Sequence, residues 1–257
     1  MSFSDQTKTS IEFVAELLRK AKYAVVLTGA GISTPSGIPD FRSEGTGLWS
    51  SDEAMEVASL NTFRTDPERF FVWFRPLAGR IFNANPNPAH VALARLEEAG
   101  RIHSIVTQNI DALHHKAGSK NVIEMHGTLR TLSCTQCFRK AGAEQYLEAF
   151  IERGELPRCF GCNGLMKPDV ILFGEQLLQS AWFAAQRESR KCDLMLVAGS
   201  SLEVLPVAGL PMQVIDRGSH LVILNNATTY LNVRADVIIQ EDVADILPAI
   251  TEQVLNG

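Results

Sequence analysis

The sequence predicts an α/β protein: a parallel sheet covered by helices on both faces, plus a smaller lobe built from two insertions. Three observations carry this. Short apolar runs alternate with amphipathic stretches along most of the chain, the pattern of strand–helix–strand crossover units. The runs are apolar at nearly every position, as strands buried on both faces must be. Two stretches, 38–87 and 128–167, break the rhythm, the first with aromatics and loop residues, the second with paired cysteines. The 257 residues, 46% hydrophobic and 21% charged, are enough for one sizeable core and exclude a disordered chain.

Taken in order, Thr9-Ser10-Ile11-Glu12 resembles a capping box, and Ile11, Val14, Leu17 and Leu18 then recur at helical spacing. A buried strand over 23–27 runs straight into the turn Thr28-Gly29-Ala30-Gly31-Ile32-Ser33. Residues 89–99 read as a helix closed by Gly100. Strands follow over 102–107, 122–125, 169–173, 193–198 and 220–225, with helix-like stretches around 177–190 and 206–215 between the last three. Val243, Ile246, Leu247, Ile250 and Val254 mark one face of a last helix, with Asp242 as its N-cap. The sheet lobe is thereby assigned to 1–37, 88–127 and 168–257. The small lobe takes 38–87, helical and loop, and 128–167.

The net charge of −5 and pI of about 5.7 leave no basic footprint for a phosphate backbone, so direct nucleic-acid binding is not expected. Residues 1–6 lack a basic segment followed by an apolar one, and no apolar run approaches the roughly 20 residues that span a bilayer. A cytoplasmic protein without membrane contact is expected. Four of the five cysteines form two pairs, Cys134-x-x-Cys137 and Cys159-x-x-Cys162. In a reducing compartment this favours a metal over disulfides. Two thiolates on each of two tight turns supply the four ligands of a tetrahedral zinc, and four sulfurs leave no position open for water or substrate. The expected zinc is structural. Cys192, alone before a strand, reads as a small buried residue.

Gly29-Ala30-Gly31 after a strand fits the start of a dinucleotide-binding turn, where glycine lets the backbone approach a pyrophosphate. Thr34 stands where the third glycine of that motif belongs, and no acidic residue follows in the expected strand context. Further polar clusters sit at predicted strand ends: Gln108-Asn109-Ile110-Asp111, Glu124-Met125-His126-Gly127, Gly199-Ser200-Ser201, and Asn225. A loop holding Pro39, Asp40, Phe41 and Arg42 joins them. Polar groups gathered at the carboxyl ends of parallel strands mark a ligand crevice.

These residues, in this order, together with Phe173-Gly174-Glu175 and the cysteine pairs, closely resemble the sirtuin family. The resemblance implies a Rossmann-like lobe plus a zinc lobe, and an NAD-dependent protein-lysine deacylase working in the cleft between them. It implies that the acyl oxygen attacks the NAD ribose, that nicotinamide leaves, and that O-acyl-ADP-ribose and free lysine are the further products. It makes His126 the general base, with Asn109 and Asp111 gripping the nicotinamide ring and ribose and Ile110 adding a backbone contact. A histidine suits that task because its reference pKa of about 6.5 leaves much of it neutral at working pH. Phe41 shields the ribose. Arg42 and the backbone of Gly29, Ala30, Gly31, Ile32 and Ser33 face the phosphates, beside Pro39, Asp40 and Gln108. Gly199, Ser200 and Ser201 contact phosphate or ribose, Asn225 the adenosine ribose, and Val243 the adenine. The acyl-lysine peptide lies as an added strand between Phe173-Gly174-Glu175 and Glu203-Val204-Leu205, with Ile171, Phe173 and Val204 lining the lysine tunnel.

Desuccinylating relatives carry Tyr-x-x-Arg after the Asp-Phe-Arg loop. The tyrosines here are Tyr23, Tyr146 and Tyr230, so that motif is missing, the region reads Phe70-Phe71-Val72-Trp73-Phe74 instead, and an uncharged acyl group, acetyl first, is expected. Protein mono-ADP-ribosyl transfer and a non-enzymatic zinc-ribbon binding module are the alternatives. The remaining histidines, His90, His103, His114, His115 and His220, lie in helix or strand patterns and read as structural or surface residues.

Overall fold

The computed structural model describes residues 3–40 and 52–257. Its strands are β1 (Ala24–Thr28), β2 (Ser104–Thr107), β3 (Val122–Glu124), β4 (Gly127–Cys134), β5 (Lys140–Gly142), β6 (Met166–Val170), β7 (Leu194–Ala198), β8 (His220–Leu224) and β9 (Val237–Ile239). Six of them form one sheet in the order β3-β2-β1-β7-β8-β9, parallel at every described pairing. The chain runs outward from β1 in one direction, then returns to the other side of β1 and runs outward again. This is the doubly wound arrangement, and its ligand crevice opens where the order reverses, between the carboxyl ends of β1 and β7.

The helices are α1 (Asp5–Lys20), α2 (Asp52–Val57), α3 (Leu60–Thr65), α4 (Pro67–Asn83), α5 (Pro88–Glu98), α6 (Leu113–Lys116), α7 (Leu147–Ile151), α8 (Gln179–Lys191), α9 (Leu210–Ile215) and α10 (Val243–Asn256). Strand alternation sorts them into two layers. Ala24 and Val26 of β1 pack with α1, α5 and α10 on one face, while Val25 and Leu27 pack with α8 and α9 on the other. With side chains buried on both faces, β1, β2 and β7 carry no polar residue except at their ends. The aromatic insertion folds as α2–α4. Its α4 buries Phe70, Phe71, Phe74, Leu77, Ala78 and Ile81 on one side at helical spacing.

The structure corrects the reading of several elements. α1 starts four residues before the Thr9 capping box, because Ser4 accepts the Thr7 N–H and takes the cap. The strand expected over 169–173 as part of the parallel sheet is β6, Met166–Val170, and it pairs antiparallel to β4 in a separate sheet of order β5-β4-β6. Apolar residues on both sides of Asp169 hid that change of partner. The stretch around 206–215 is a short 3-10 turn followed by α9. β9, three residues long, has no counterpart among the strands that the sequence predicts. Asp242 does cap α10 through the Ala244 N–H.

Candidate functional site

Three glycines close the crevice at its floor. Gly31 N–H donates to Gly199 O at 2.8 Å, and Gly29 N–H reaches Ala198 O at 3.3 Å. A Cβ on Gly29 or Gly31 would lie 2.9 Å from Gly199 O. Gly199 itself has φ +61°, and a Cβ there would meet Ile32 N at 2.2 Å. The glycines are required because the turns after β1 and β7 touch each other, which sets the backbone N–H groups at the switch point. This packing demand is separate from the room a pyrophosphate needs.

Above that floor sits a buried polar cluster. Ser33 Oγ donates to Asp111 Oδ2 at 2.7 Å, and Asn109 Nδ2 donates to Ser33 Oγ at 3.0 Å and to Gly29 O at 3.1 Å. Leu113 N–H donates to the other Asp111 oxygen at 2.8 Å, made possible by Ala112 in the left-handed region at φ +61°. Burial raises the Asp111 carboxyl above its ordinary value, although the Leu113 and Ser33 donors oppose it. Asn109 Oδ1 is buried with no protein partner. Both amide donors are spent on the protein, so this oxygen is an acceptor presented to a ligand.

His126 follows β3, where Gly127 at φ +77° turns the chain into β4; a Cβ at 127 would lie 2.1 Å from Asp169 O. His126 Nδ1 lies 2.9 Å from Gln108 O, and a carbonyl only accepts, so Nδ1 carries the proton and Nε2 holds the lone pair. Burial lowers its pKa, against the opposite pull of the Gln108 carbonyl. The ring is therefore neutral and basic at Nε2. Gln108 Nε2 donates in turn to Ser200 Oγ at 3.0 Å, which ties the histidine to the β7 turn.

A cavity of about 1100 Å³ opens beside these groups. Of the residues expected from sequence, Ala30, Ser33, Pro39, Gln108, Asn109, Ile110, Asp111, His126, Ile171, Phe173, Gly174, Glu175, Glu203 and Val204 line it. Gly29, Gly31, Ile32, Gly199, Ser200, Ser201 and Asn225 stand on the adjoining row of strand-end turns, outside the cavity wall. Val243 is 4% exposed, its side chain packed in the core under α10. Phe41 and Arg42 lie outside the described residues. Phe70, Trp73 and Phe74, which the sequence sets in place of the missing Tyr-x-x-Arg motif, form the far wall, and sequence reasoning missed the rest of it: Leu77 and Ile81 of α4, with Met55, Ala58 and Trp182. Among the described lining residues there is no lysine or arginine.

The two cysteine turns are near copies. Phe138 N–H donates to Cys134 O and Asn163 N–H to Cys159 O, and both Phe138 and Asn163 take a left-handed φ, +59° and +60°. The four Sγ atoms lie within 4.8 Å of one another, with Cys134–Cys162 at 3.5 Å and Cys137–Cys159 at 3.7 Å. Bonds of ~2.3 Å to a tetrahedral zinc place sulfurs ~3.8 Å apart, so the set fits the ion. The backbone N–H groups of Cys137 and Gln136 lower the Cys134 thiol to about 6 and those of Gly161 and Cys162 lower Cys159, while Cys162, despite the Gly164 N–H, is pushed up to about 12 by the neighbouring sulfurs. Small-lobe residues Leu132, Tyr146 and Met166 pack against the pair Cys134 and Cys159.

Known proteins share this arrangement. The Sir2 family model matches residues 29–206. The chain is 43% identical over 245 residues to NAD-dependent protein deacylase 2 of Archaeoglobus fulgidus, covering 95% of this chain and 96% of that one. It is 45% identical over 243 residues to the NAD-dependent protein deacetylase of Saccharolobus solfataricus, covering 95% and 96%. A solved Sir2 complex with a p53 peptide and NAD+ superposes with a TM-score of 0.85 at 40% identity, covering 94% of this chain and 97% of the other. From the glycine floor to the four-sulfur cluster, over nearly its whole length, the chain belongs to the Sir2 family.

Proposed function

We propose that the chain is an NAD-dependent protein-lysine deacylase that acts first on acetyl-lysine, with His126 as the general base. One observation carries this: a neutral imidazole, fixed through Nδ1 by Gln108 O, leaves a basic Nε2 on a residue lining a cavity between strand ends and an apolar wall. When bound, NAD supplies an electrophilic ribose carbon and nicotinamide as its leaving group. The protein's own groups hold and orient. Asn109 offers its unpaired Oδ1 and Asp111 its carboxylate to the nicotinamide–ribose end, with Ile110 beside them. His126 Nε2 takes a hydroxyl proton as the acyl group is transferred. Phe41 and Arg42, expected from the sequence to serve the ribose and the phosphates, lie outside the described residues. Gly199, Ser200, Ser201 and Asn225 serve the phosphate and adenosine side, with Val243 contributing backbone only.

The peptide adds as a strand, but through fewer backbone groups than the sequence suggested. Phe173 N–H already donates to Ala58 O, and Phe173 O accepts from Leu60 N–H. The pairing is left to Gly174 on one side and to the 203–205 segment on the other, where Val204 O already accepts the Ala208 N–H at 3.0 Å. The zinc is structural and holds the small lobe. The lobes divide near 37/38, 87/88, 127/128 and 167/168, although β4 and β6 run across the last two limits. A cytoplasmic location is supported by the cysteines set aside for metal. Among the described residues no helix is long and apolar enough to cross a membrane. The acidic balance argues against a nucleic-acid partner.

The test is His126→Ala with an acetyl-lysine peptide and NAD. Deacylation should fall by about 10²–10⁴-fold while NAD binding, followed by calorimetry, persists. Unchanged deacylation would remove His126 from the mechanism. Nicotinamide release from the wild type that needs no acyl-lysine would favour ADP-ribosyl transfer instead.

A further inference from the structure

One partly buried charge pair has no part in the chemistry described so far. Lys167 on β6 and Glu175 meet at 2.9 Å with side chains 17% and 19% exposed. The ammonium also donates to Val170 O at 2.8 Å and to Pro168 O at 3.3 Å. Glu175 Oε2 also accepts the Leu172 N–H at 2.8 Å, and Glu175 N–H returns a bond to Leu172 O. The carboxylate of a cavity-lining residue is thus committed inside the protein, and the named partners of both ions lie within residues 167–175.

The chain spanned by these ions is the bend that forms one lip of the groove. Its start is tied to the catalytic histidine, since Ile171 N–H donates to His126 O at 2.8 Å. Its middle is tied to the junction of α2 and α3 through Ala58 and Leu60. Gly174 then takes φ +85° with open space where a Cβ would sit, so packing does not hold it. The ionic tie closes the far end, immediately after that hinge.

We propose that Lys167 and Glu175 form a positioning latch for the acyl-lysine peptide. The latch sets the height of the Gly174 lip and, through Val170 and Ile171, its distance from His126. Glu175 on this view is a positioning residue that does not read substrate charge. The inference rests on the deacylase reading above. Its physical basis is that a partly buried pair with several further hydrogen bonds is stiffer than a surface pair, and that removing one ion leaves the other uncompensated. A displaced lip misaligns the acyl group, whereas the glycine floor at Gly29, Gly31 and Gly199 shares no bond with the latch.

The experiment uses the full chain with acetyl-lysine peptide and NAD varied in turn, alongside direct peptide binding by fluorescence anisotropy. Lys167→Met should raise the peptide KM and the peptide dissociation constant by about tenfold and leave the NAD KM within about twofold. Lys167→Arg keeps the charge and should restore peptide affinity. Glu175→Gln keeps the acceptor for Leu172 N–H and should reproduce the Lys167→Met defect without unfolding. A peptide affinity unchanged in both Lys167→Met and Glu175→Gln overturns the latch. So do peptide and NAD constants rising together, the mark of a general structural loss. If the wild type binds the peptide without turning it over, the deacylase reading fails and the binding series still decides the latch. If it neither binds nor turns over the peptide, both fall.

Discussion

The two walls of the cleft are built on opposite principles. The strand-end wall is polar and buried: Ser33, Asn109, Asp111 and His126 are each held by one or more hydrogen bonds to neighbouring turns. The α4 wall is apolar: Phe70, Trp73, Phe74, Leu77 and Ile81 are held by ring contacts and packing. The polar wall stands on a parallel sheet buried on both faces, and the apolar wall leans on the zinc lobe. Phe71 and Phe74 contact Phe150 of α7 at 5.4 and 6.2 Å, and Arg75 donates to Ile151 O and Glu152 O at the end of that helix. The polar groups are thus held by the sheet turns and α4 by α7, and the two walls meet where Ile110 and Leu113, beside the polar cluster, pack with Phe70, Phe71 and Phe74.

Metal removal is the largest test of that division of support. Stripping zinc with a strong chelator, or Cys137→Ser, should abolish peptide turnover, because α7 loses its support and α4 follows. The parallel sheet should survive in far-UV circular dichroism, and NAD should still bind in calorimetry. Simultaneous loss of the sheet would show that the two walls form one cooperative unit.

The same contrast explains what the sequence disclosed. Gln108-Asn109-Ile110-Asp111 and His126-Gly127 stood out because buried polar residues at strand ends have little use as packing. The cysteine turns stood out by spacing alone. The α4 wall did not, since Phe70, Phe74, Leu77 and Ile81 at helical spacing read equally as core, and part of each is core. Only tertiary contact separates a lining face from a packed one. The 169–173 stretch failed for a related reason: its alternation is that of any strand, and nothing local tells β6 to pair with β4. In the sequence Gly29 and Gly31 point to a pyrophosphate, whereas the contact with Gly199, 170 and 168 residues away respectively, is what their missing side chains permit.

The apolar wall can be challenged directly with the acyl group. No cation among the described lining residues meets a carboxylate there. Succinyl-lysine peptide should turn over at least about a hundredfold more slowly than the acetyl peptide, since burying an unpaired charge costs several kcal/mol. Trp73→Arg, at a half-buried position of that wall, should shrink the gap to about tenfold or less by supplying the missing partner. Equal rates on both peptides in the wild type would mean that α4 does not face the acyl group.

The smallest effect concerns what lies beneath the polar wall. His90 Nδ1 accepts the Asn87 N–H at 3.4 Å, and a backbone N–H only donates, so this nitrogen must stay unprotonated. His90 Nε2 faces Ser33 Oγ at 3.5 Å, and His114 Nε2 faces Thr28 Oγ1 at 2.9 Å, with His114 Nδ1 buried and unpartnered. A second proton on either ring has no acceptor. Burial lowers His90 to about 4, and burial together with His90 and His115 lowers His114 well below its ordinary value. The unfolded chain, with histidines near about 6.5, therefore binds more protons than the folded one below that pH. Stability is full above about pH 6.5 and declines as the pH falls toward 4, by about 3 kcal/mol for His90 over that span. Thermal unfolding midpoints between pH 7 and pH 5 should fall in the wild type and fall less in His90→Gln. An identical slope in the two proteins would move the acid sensitivity away from the floor of the polar wall.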